Sequence, residues 1–186
     1  EIPAGYIVPA LEALSAILKQ KLTAARIAHG EVTTCGTPRR LTAMVRDVAR
    51  RQASVTEQVL GPPERIAFDA QHRPTMAALK FAEKVGVAPE KLGTTETEKG
   101  RYLSASLTHK GVASQTALKT ILPEVILAIP FPKSMRWADL SISFARPIQS
   151  VLAVYDKAVV SFVLDGRIRS GRRTMGHMFM QRKPIT

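Results

Sequence analysis

Hydrophobic and polar positions follow two periods along this chain, and the places where the period changes mark its elements. From Tyr6 to Ala28 the residues Val8, Leu11, Leu14, Ile17, Leu18 and Leu22 recur at three- and four-residue steps. That spacing predicts an amphipathic helix with Pro9 in its first turn and Gly30 at its exit. The period then shortens: "EVTTCG" and "LTAMVRDVA" are rich in Val and Thr and read as strands joined by "TPRR", and "SVTEQVLG" reads as a third, stopped by Gly61-Pro62-Pro63. Helical spacing returns in "RPTMAALKFAEKVG" through Met76, Leu79, Ala82 and Val85, opening at Pro74-Thr75 and closing at Gly86. "TTETEKGRYLSASLTHKG" alternates on both sides of Lys99-Gly100, as a hairpin does. A second long helix is predicted from about Ser114 to Ala128, kinked or split by Pro123. Beyond Pro132, "LSISFA", "QSVLAVYD", "AVVSFVLDG" and "TMGHMFM" read as strands.

Helices and short strands are interspersed without the regular alternation of a doubly wound sheet, so the predicted class is α+β: short, mostly antiparallel strands with several packed helices, in two small domains. The weakest seam lies near Pro130 to Ser134. The expected division is 1–130, an N-terminal α+β domain, and 131–186, the start of a second, strand-rich domain. With 186 residues, 45% hydrophobic and 23% charged, the chain has ordinary globular usage. No apolar run approaches the roughly 18 residues of a membrane span, and the first residues lack a signal-peptide pattern, so a cytoplasmic protein without a membrane anchor is expected. The single cysteine, Cys35, excludes an internal disulfide and a multi-cysteine zinc site, and reads as a buried structural thiol. The chain begins with Glu1 rather than Met and stops at "MQRKPIT" without a closing element, so it is expected to be part of something longer.

Charge narrows the functional classes. With 27 Lys and Arg against 15 Asp and Glu, the formal net charge is +12 and the sequence pI about 10.4. A field of that sign steers polyanions in, and counterion release rewards their contact, so nucleic acid leads the expected partners. In "TPRRL" a Pro fixes the backbone while Arg39 and Arg40 place two guanidinium forks at a turn; the same pair suits a solvated turn. "GRIRSGRRTMGHMFMQRK" holds Arg167, Arg169, Arg172, Arg173, Arg182 and Lys183 with no acid among them. With Ile168 turned to a core, Arg167 and Arg169 are expected together on the other side of a basic edge strand, which can track phosphates or simply discourage edge pairing. "FPKSMRW" combines Phe131 and the only Trp, Trp137, with Lys133 and Arg136; aromatics turned inward and cations outward would serve both a core and a phosphate contact. Catalytic chemistry has no comparable signal. His29, His72, His109 and His177 lack metal-ligand spacing, Asp139, Asp156 and Asp165 form no recognisable carboxylate pair, and there is no phosphate loop of the G-x-x-x-x-G-K-[ST] type. Neither a catalytic residue nor a metal ligand is therefore assigned.

An ordered set of motifs resembles one family. "EIPAGYIVPALEAL" at the start, "TPRRL" at Thr37, "GPP" at Gly61, "FDA…PT" from Phe68 to Thr75, "FPKSMRW", "FARPI" from Phe144 to Ile148 and "SGRRTMGH" from Ser170 to His177 together resemble the N-terminal region of the β subunit of bacterial heterotetrameric glycyl-tRNA synthetase. Two places depart from the family pattern: Gln149-Ser150 follows "RPI" where a basic or aromatic pair is usual, and Met178 stands where a basic residue is usual. The resemblance implies a division of labour. A separate α subunit activates glycine with ATP and Mg, the β subunit supplies tRNA recognition, and helical and anticodon-binding domains follow this region. No cofactor is expected in these 186 residues; the expected partners are tRNA, the α subunit and the remainder of β. Two roles remain open on the residues themselves: tRNA binding through Arg39, Arg40, Lys133, Arg136, Arg167, Arg169, Arg172 and Arg173, or a non-catalytic scaffold that docks the α subunit or the rest of β.

Overall fold

The computed structural model describes residues 1–69, 73–98, 100–176 and 184–185. In chain order these form α1 (Ala4–Ala24), β1 (Val32–Thr37), β2 (Arg40–Val45), β3 (Val55–Pro63), α2 (Glu64–Ala67), α3 (Met76–Val85), a 3₁₀ turn at Pro89–Lys91, β4 (Gly93–Thr97), β5 (Gly100–His109) and α4 (Ser114–Leu127). Short strands follow: β6 (Val151–Leu152), β7 (Val154–Tyr155), β8 (Ala158–Val159), β9 (Val163–Leu164), β10 (Ile168–Gly171), β11 (Thr174–Met175) and β12 (Pro184–Ile185). The class is α+β, as expected, with the strands in small and mostly antiparallel sheets. No helix among the described residues is long and apolar enough to cross a membrane.

The chain gathers into two compact units, one of residues 1–53 and 112–186, the other of residues 54–111. The division expected at 130/131 therefore falls inside the first unit. The reason is a shared core: Ile129, just before the expected seam, is buried in one cluster with Phe162 and Leu164, and Phe131 packs against it. Proline at 130 and 132 interrupts the periodicity without interrupting the packing. Where the chain leaves and re-enters the first unit, Arg51 bridges Ala113, and the Gln52 amide donates to the Val112 carbonyl at 3.0 Å.

In the first unit α1 turns Ala10, Leu14, Leu18 and Leu22 inward at four-residue spacing, while Val8, expected on that face, is exposed. Each leucine buried this fully contributes on the order of 2 kcal/mol. The helix begins before Tyr6, so Pro9 lies past its first turn, and it ends without Gly30. Arg26 takes the left-handed conformation at φ 55° instead, with its amide donating to Thr23 and the Ile27 amide to Leu22 at 2.9 Å each. This 6→1, 5→2 pair is a Schellman closure, sealed by contact of buried Leu22 and Ile27. Against α1 lies α4, which buries Ser114, Leu118, Ile121 and Val125 and runs through Pro123 as one helix. Burial of Ile121 and Val125 on either side of the proline offsets the lost backbone donor.

The β1–β2 hairpin pairs all six residues, from Val32 with Val45 to Thr37 with Arg40, around a Pro38-Arg39 turn. Gly36 allows this hairpin to approach α1: a Cβ there would meet Leu11 Cδ1 at 3.1 Å and Ile7 Cγ2 at 3.2 Å. Residues 140–145, expected as a strand, make only the bridge of Phe144 to Met135. β10 is the middle of a three-stranded sheet, parallel to β6 and antiparallel to β9.

The second unit is a sheet in the order β3-β5-β4 with α2 and α3 packed on it. Its core is Ala67, Ala78, Phe81, Leu103 and Ala105. Of the α3 stripe expected through Met76, Leu79, Ala82 and Val85, Ala82 is buried and Val85 packs against the core, but Met76 and Leu79 are exposed and Ala78 and Phe81 are buried in their place. Gly86 closes α3 at φ 67°, as expected, with the Val87 amide donating to Ala82. β4 and β5 form the expected hairpin, pairing Thr97 with Gly100, though Lys99 itself lies outside the described residues. β3 continues through Gly61-Pro62-Pro63, where the strand was expected to stop, with a register shift between Leu60 and Pro63.

Candidate nucleic-acid interface

The positive charge is divided unevenly. The first unit holds 19 Lys and Arg against eight Asp and Glu, a net +11; the second holds eight against seven, a net +1. A polyanion therefore meets its counter-field on the first unit.

All eight sequence-predicted cations belong to that unit and all are exposed, but their partners differ. Arg39, in the β1–β2 turn, donates from Nε to Glu1 Oε1 at 2.9 Å. The same Glu1 accepts from Arg146 Nε through its main-chain carbonyl at 2.9 Å, and Ile2 donates to the Pro38 carbonyl. Arg146, which the sequence reading passed over within "FARPI", thus helps fix the start of the chain beside the turn. Arg40 reaches elsewhere: its Nη2 donates to Thr174 Oγ1 at 3.0 Å and to the Met175 carbonyl. Two motifs 134 positions apart, "TPRR" and "SGRRTM", are brought side by side by this one guanidinium, which serves as a tether.

Arg167 and Arg169 were expected together on one side of an edge strand, and the structure corrects both parts. Arg167 precedes β10, in a turn closed by its amide to the Leu164 carbonyl at 3.1 Å, with Asp165 at φ 46° and Gly166 at φ 70°. Two left-handed central residues give the turn its tight reversal, and with Leu164 paired to Ile168 the hairpin loop is the three residues 165–167, Arg167 among them. Arg169 points outward from β10, which has a neighbour on either side and is no edge. Arg167 also has an acid: its Nη2 lies 3.4 Å from Asp139 Oδ2. Nearby, the Ser141 amide and then its hydroxyl, the latter at 2.9 Å, donate to Asp165 and hold that carboxyl below its usual range, with Arg167 adding to the effect.

In "FPKSMRW", Phe131 packs edge-on against Phe144 with ring centroids 4.8 Å apart, and Met135 and Phe144 exchange main-chain hydrogen bonds of 2.8 and 3.1 Å. Lys133 and Arg136 are exposed. The aromatic half of the expectation divides: Phe131 joins the core, whereas Trp137 is half-buried and belongs to neither core cluster. Lys133, Arg136, Arg169, Arg172 and Arg173 make no ion pair among the described residues. Arg40 has no acid either but is engaged by Thr174 and Met175; the other five can each take a phosphate without first giving up a partner among the described residues.

Other candidates disperse. Cys35 is exposed on β1 rather than buried. His29 Nδ1 lies 3.0 Å from the Ile27 carbonyl, and His109 faces Glu57 across β5 and β3 at 3.8 Å. Among the described residues no group of three or more His, Cys, Asp or Glu is placed to hold a metal ion. His72, His177, Met178, Arg182 and Lys183 lie outside the described residues.

Residues 1–186 match the family model described as glycyl-tRNA synthetase beta subunit. Over 185 residues the chain is 51% identical to the glycine–tRNA ligase beta subunit of Desulfatibacillum aliphaticivorans, covering 100% of this chain and 27% of that protein. Over 180 residues it is 48% identical to the protein of that name from Desulforapulum autotrophicum and 46% identical to that from Myxococcus xanthus, covering 97% of this chain and 26% of each. It therefore spans about a quarter of the length of the curated relatives it matches. With the family matched along its whole length, the chain belongs to the glycyl-tRNA synthetase beta subunit family.

Proposed function

We propose that this chain contributes tRNA binding to the ATP-dependent charging of tRNA with glycine, in the cytoplasm, as part of a β subunit that works with a separate α subunit. Activation of glycine with ATP and Mg²⁺ belongs to the α subunit in this reading, and these 186 residues carry out no chemical step. Remote positioning of this kind matters for rate as well as affinity, because a tRNA held in register reaches the reacting centre with its rotational entropy already lost. The observation that carries the proposal is the concentration of charge: a net +11 on the first unit, with Lys133, Arg136, Arg169, Arg172 and Arg173 lacking acidic partners among the described residues. Unpaired guanidinium forks match phosphate oxygens in geometry and release counterions on contact.

Arg172→Glu/Arg173→Glu tests it. Two lost contacts are expected to lower the magnitude of the log–log salt slope of tRNA binding by about 1.8 if the contacted RNA is duplex and about 1.4 if single-stranded. Unchanged affinity and slope in a folded variant would defeat the proposal.

A second reading, a scaffold that docks the α subunit or the rest of β, is favoured by Trp137, whose half-buried ring lies outside both cores. Large aromatics with free surface are frequent interface anchors. Trp137→Ala is then expected to impair assembly before RNA binding; loss of RNA binding alone, with assembly intact, excludes the scaffold.

A further inference from the structure

Three arginines that are scattered in the sequence converge in the first unit at the end of the β1–β2 hairpin opposite its turn. Beyond the last hairpin pair the two chain segments stay in contact. The Gly30 amide donates to the Arg46 carbonyl at 2.9 Å, the Ala49 amide to Ala28 at 2.8 Å and the Ala53 amide to the Arg26 carbonyl at 2.8 Å. Arg50 is held as well, its carbonyl accepting from the Ser114 amide at 2.9 Å. Arg26, Arg46 and Arg50 thus stand on main chain fixed by hydrogen bonds, and all three are exposed. Their side chains make no ion pair or hydrogen bond among the described residues, although Asp47 adjoins Arg46 in sequence and the Glu31 carbonyl accepts from the Arg46 amide. Asp47 instead turns its carboxylate toward Gly30, where a Cβ would meet Oδ2 at 3.1 Å. Arg26 and His29 also line a shallow cleft of about 390 Å³ with Thr23, Ile27, Ala28 and Ala53.

Arg26 carries a second signal. It occupies the left-handed position that closes α1, at φ 55°, where glycine is the usual solution because a side chain there is strained. A cation at a helix C-terminus is favourable in itself, which accounts for part of the choice. It does not account for Arg46 and Arg50, which belong to no helix and make no ion pair among the described residues.

We propose that Arg26, Arg46 and Arg50 form a second contact surface for a nucleic-acid phosphate backbone, separate from the Arg172–Arg173 region. This rests on the tRNA-binding reading and extends it to a footprint with two ends. Five register steps separate the Thr37–Arg40 pair from the Val32–Val45 pair, and at about 3.4 Å per residue the hairpin sets the two basic regions roughly 17 Å apart. One folded RNA can span that distance, since successive phosphates of a strand lie only a few ångströms apart along a helix axis. Rigid spacing by a paired hairpin then selects a polyanion of fixed shape over a flexible one.

The experiment compares three variants of the intact β subunit assembled with its α subunit: Arg46→Glu/Arg50→Glu, Arg172→Glu/Arg173→Glu and Arg26→Gly. Binding of a tRNA transcript is measured across a salt series, with a melting curve as the folding control. The expected result is a loss of roughly tenfold or more in affinity for Arg46→Glu/Arg50→Glu at low salt, and a salt slope smaller in magnitude by about 1.4 to 1.8. Arg26→Gly guards against a folding artefact, because it relieves the left-handed strain. It is expected to bind tRNA more weakly while melting at the same or a higher temperature. If Arg172→Glu/Arg173→Glu weakens binding while the Arg46, Arg50 and Arg26 variants bind as the parent does, the second surface is overturned and the first stands. If none of the three weakens binding, the tRNA reading falls and this inference with it.

Discussion

Gly61→Ala offers a clean perturbation, because it adds one methyl group at one known place. Gly61 has no left-handed φ, so alanine is allowed by the backbone, but its Cβ would stand 2.7 Å from Phe81 Cδ1 and Cε1 and 2.9 Å from Cγ. Carbon atoms at optimal contact sit at about 3.5 to 4.0 Å, so the ring or the strand has to move by close to an ångström. Phe81 is 8% exposed and is held by the cluster of Ala67, Ala78, Leu103 and Ala105, which leaves little room for a rotamer change. Overpacking of this kind costs about 1 to 3 kcal/mol, offset by the roughly 0.4 to 1 kcal/mol that alanine removes from the unfolded chain's entropy. A net loss near 1.5 kcal/mol lowers amide protection in β5 by roughly tenfold, since about 1.4 kcal/mol is a factor of ten. The assay is hydrogen exchange of the amides at Leu103 to Ala105, read beside the fluorescence of Trp137. That tryptophan, the only one in the chain, reports the first unit. Faster exchange in the second unit with an unshifted Trp137 transition is the expected outcome, and tRNA affinity should persist because the charge lies on the first unit. Phe81→Leu in the Gly61→Ala background should recover part of the loss. Unchanged exchange at β5 would refute the packing argument, and lost tRNA binding in a variant whose first unit is intact would refute the placement of the RNA contacts.

Asp165 supplies a pH test with a definite sign. Its carboxyl is held below the usual range, chiefly by the Ser141 amide and hydroxyl, so its contribution to stability is present above the ordinary carboxylate pKa and is lost as pH falls through the lowered value. Asp165→Asn, which still tolerates φ 46°, should flatten the acid limb of a Trp137 unfolding profile taken from about pH 6 to about pH 2; an acid limb identical to the parent's would rule the linkage out. Arg40→Ala removes the donors to Thr174 and Met175 and should cost on the order of 1 kcal/mol, less than is usual for charged hydrogen bonds because the site is exposed. Amide exchange at residues 172–175 should rise with it, and protection equal to the parent's would show that Arg40 is no tether.

What was legible in the sequence was what short-range chemistry decides. The "TPRR" turn and the Lys99-Gly100 hairpin were visible because a hairpin is specified by its own turn and flanking alternation. The core face of α3 was half placed: Ala82 and Val85 lie on it as expected, but Ala78 and Phe81 hold it in place of Met76 and Leu79, since an alanine at 78 signals burial weakly beside larger apolar residues. Sheet order was out of reach. β10 was read as an edge since its parallel neighbour, β6, lies far back in the chain, and a two-residue ladder leaves almost no periodic trace. The basic site failed in the same way. Arg39, Arg40 and Arg167 looked equally free in the sequence, but Glu1, Thr174 and Asp139 stand 38, 134 and 28 positions away and reach them only through the fold. Arg26, Arg46 and Arg50 were missed for the complementary reason: each is unremarkable locally, and only the pairing of residues 26–30 with 46–53 makes them one surface.

These partners divide the cations by what each can do for a polyanion. Arg40 is committed, since giving up Thr174 and Met175 would release the segment that bears Arg172 and Arg173. Arg39 and Arg167 are exchangeable: their carboxylates are more than half exposed, such surface pairs are worth about 0 to 1 kcal/mol, and a phosphate can displace them at little cost. Arg172, Arg173, Arg169, Lys133 and Arg136, with Arg26, Arg46 and Arg50 at the far end of the hairpin, have no side-chain partner among the described residues to give up. Free cations set the steep part of the salt dependence, whereas a cation that trades a carboxylate for a phosphate releases fewer ions in balance. The first unit thus carries +11 without resembling a uniformly charged surface. Its paired arginines hold the turn and residues 174–175 in place, and under the proposed tRNA-binding reading its unpaired ones are the cations that would take phosphates.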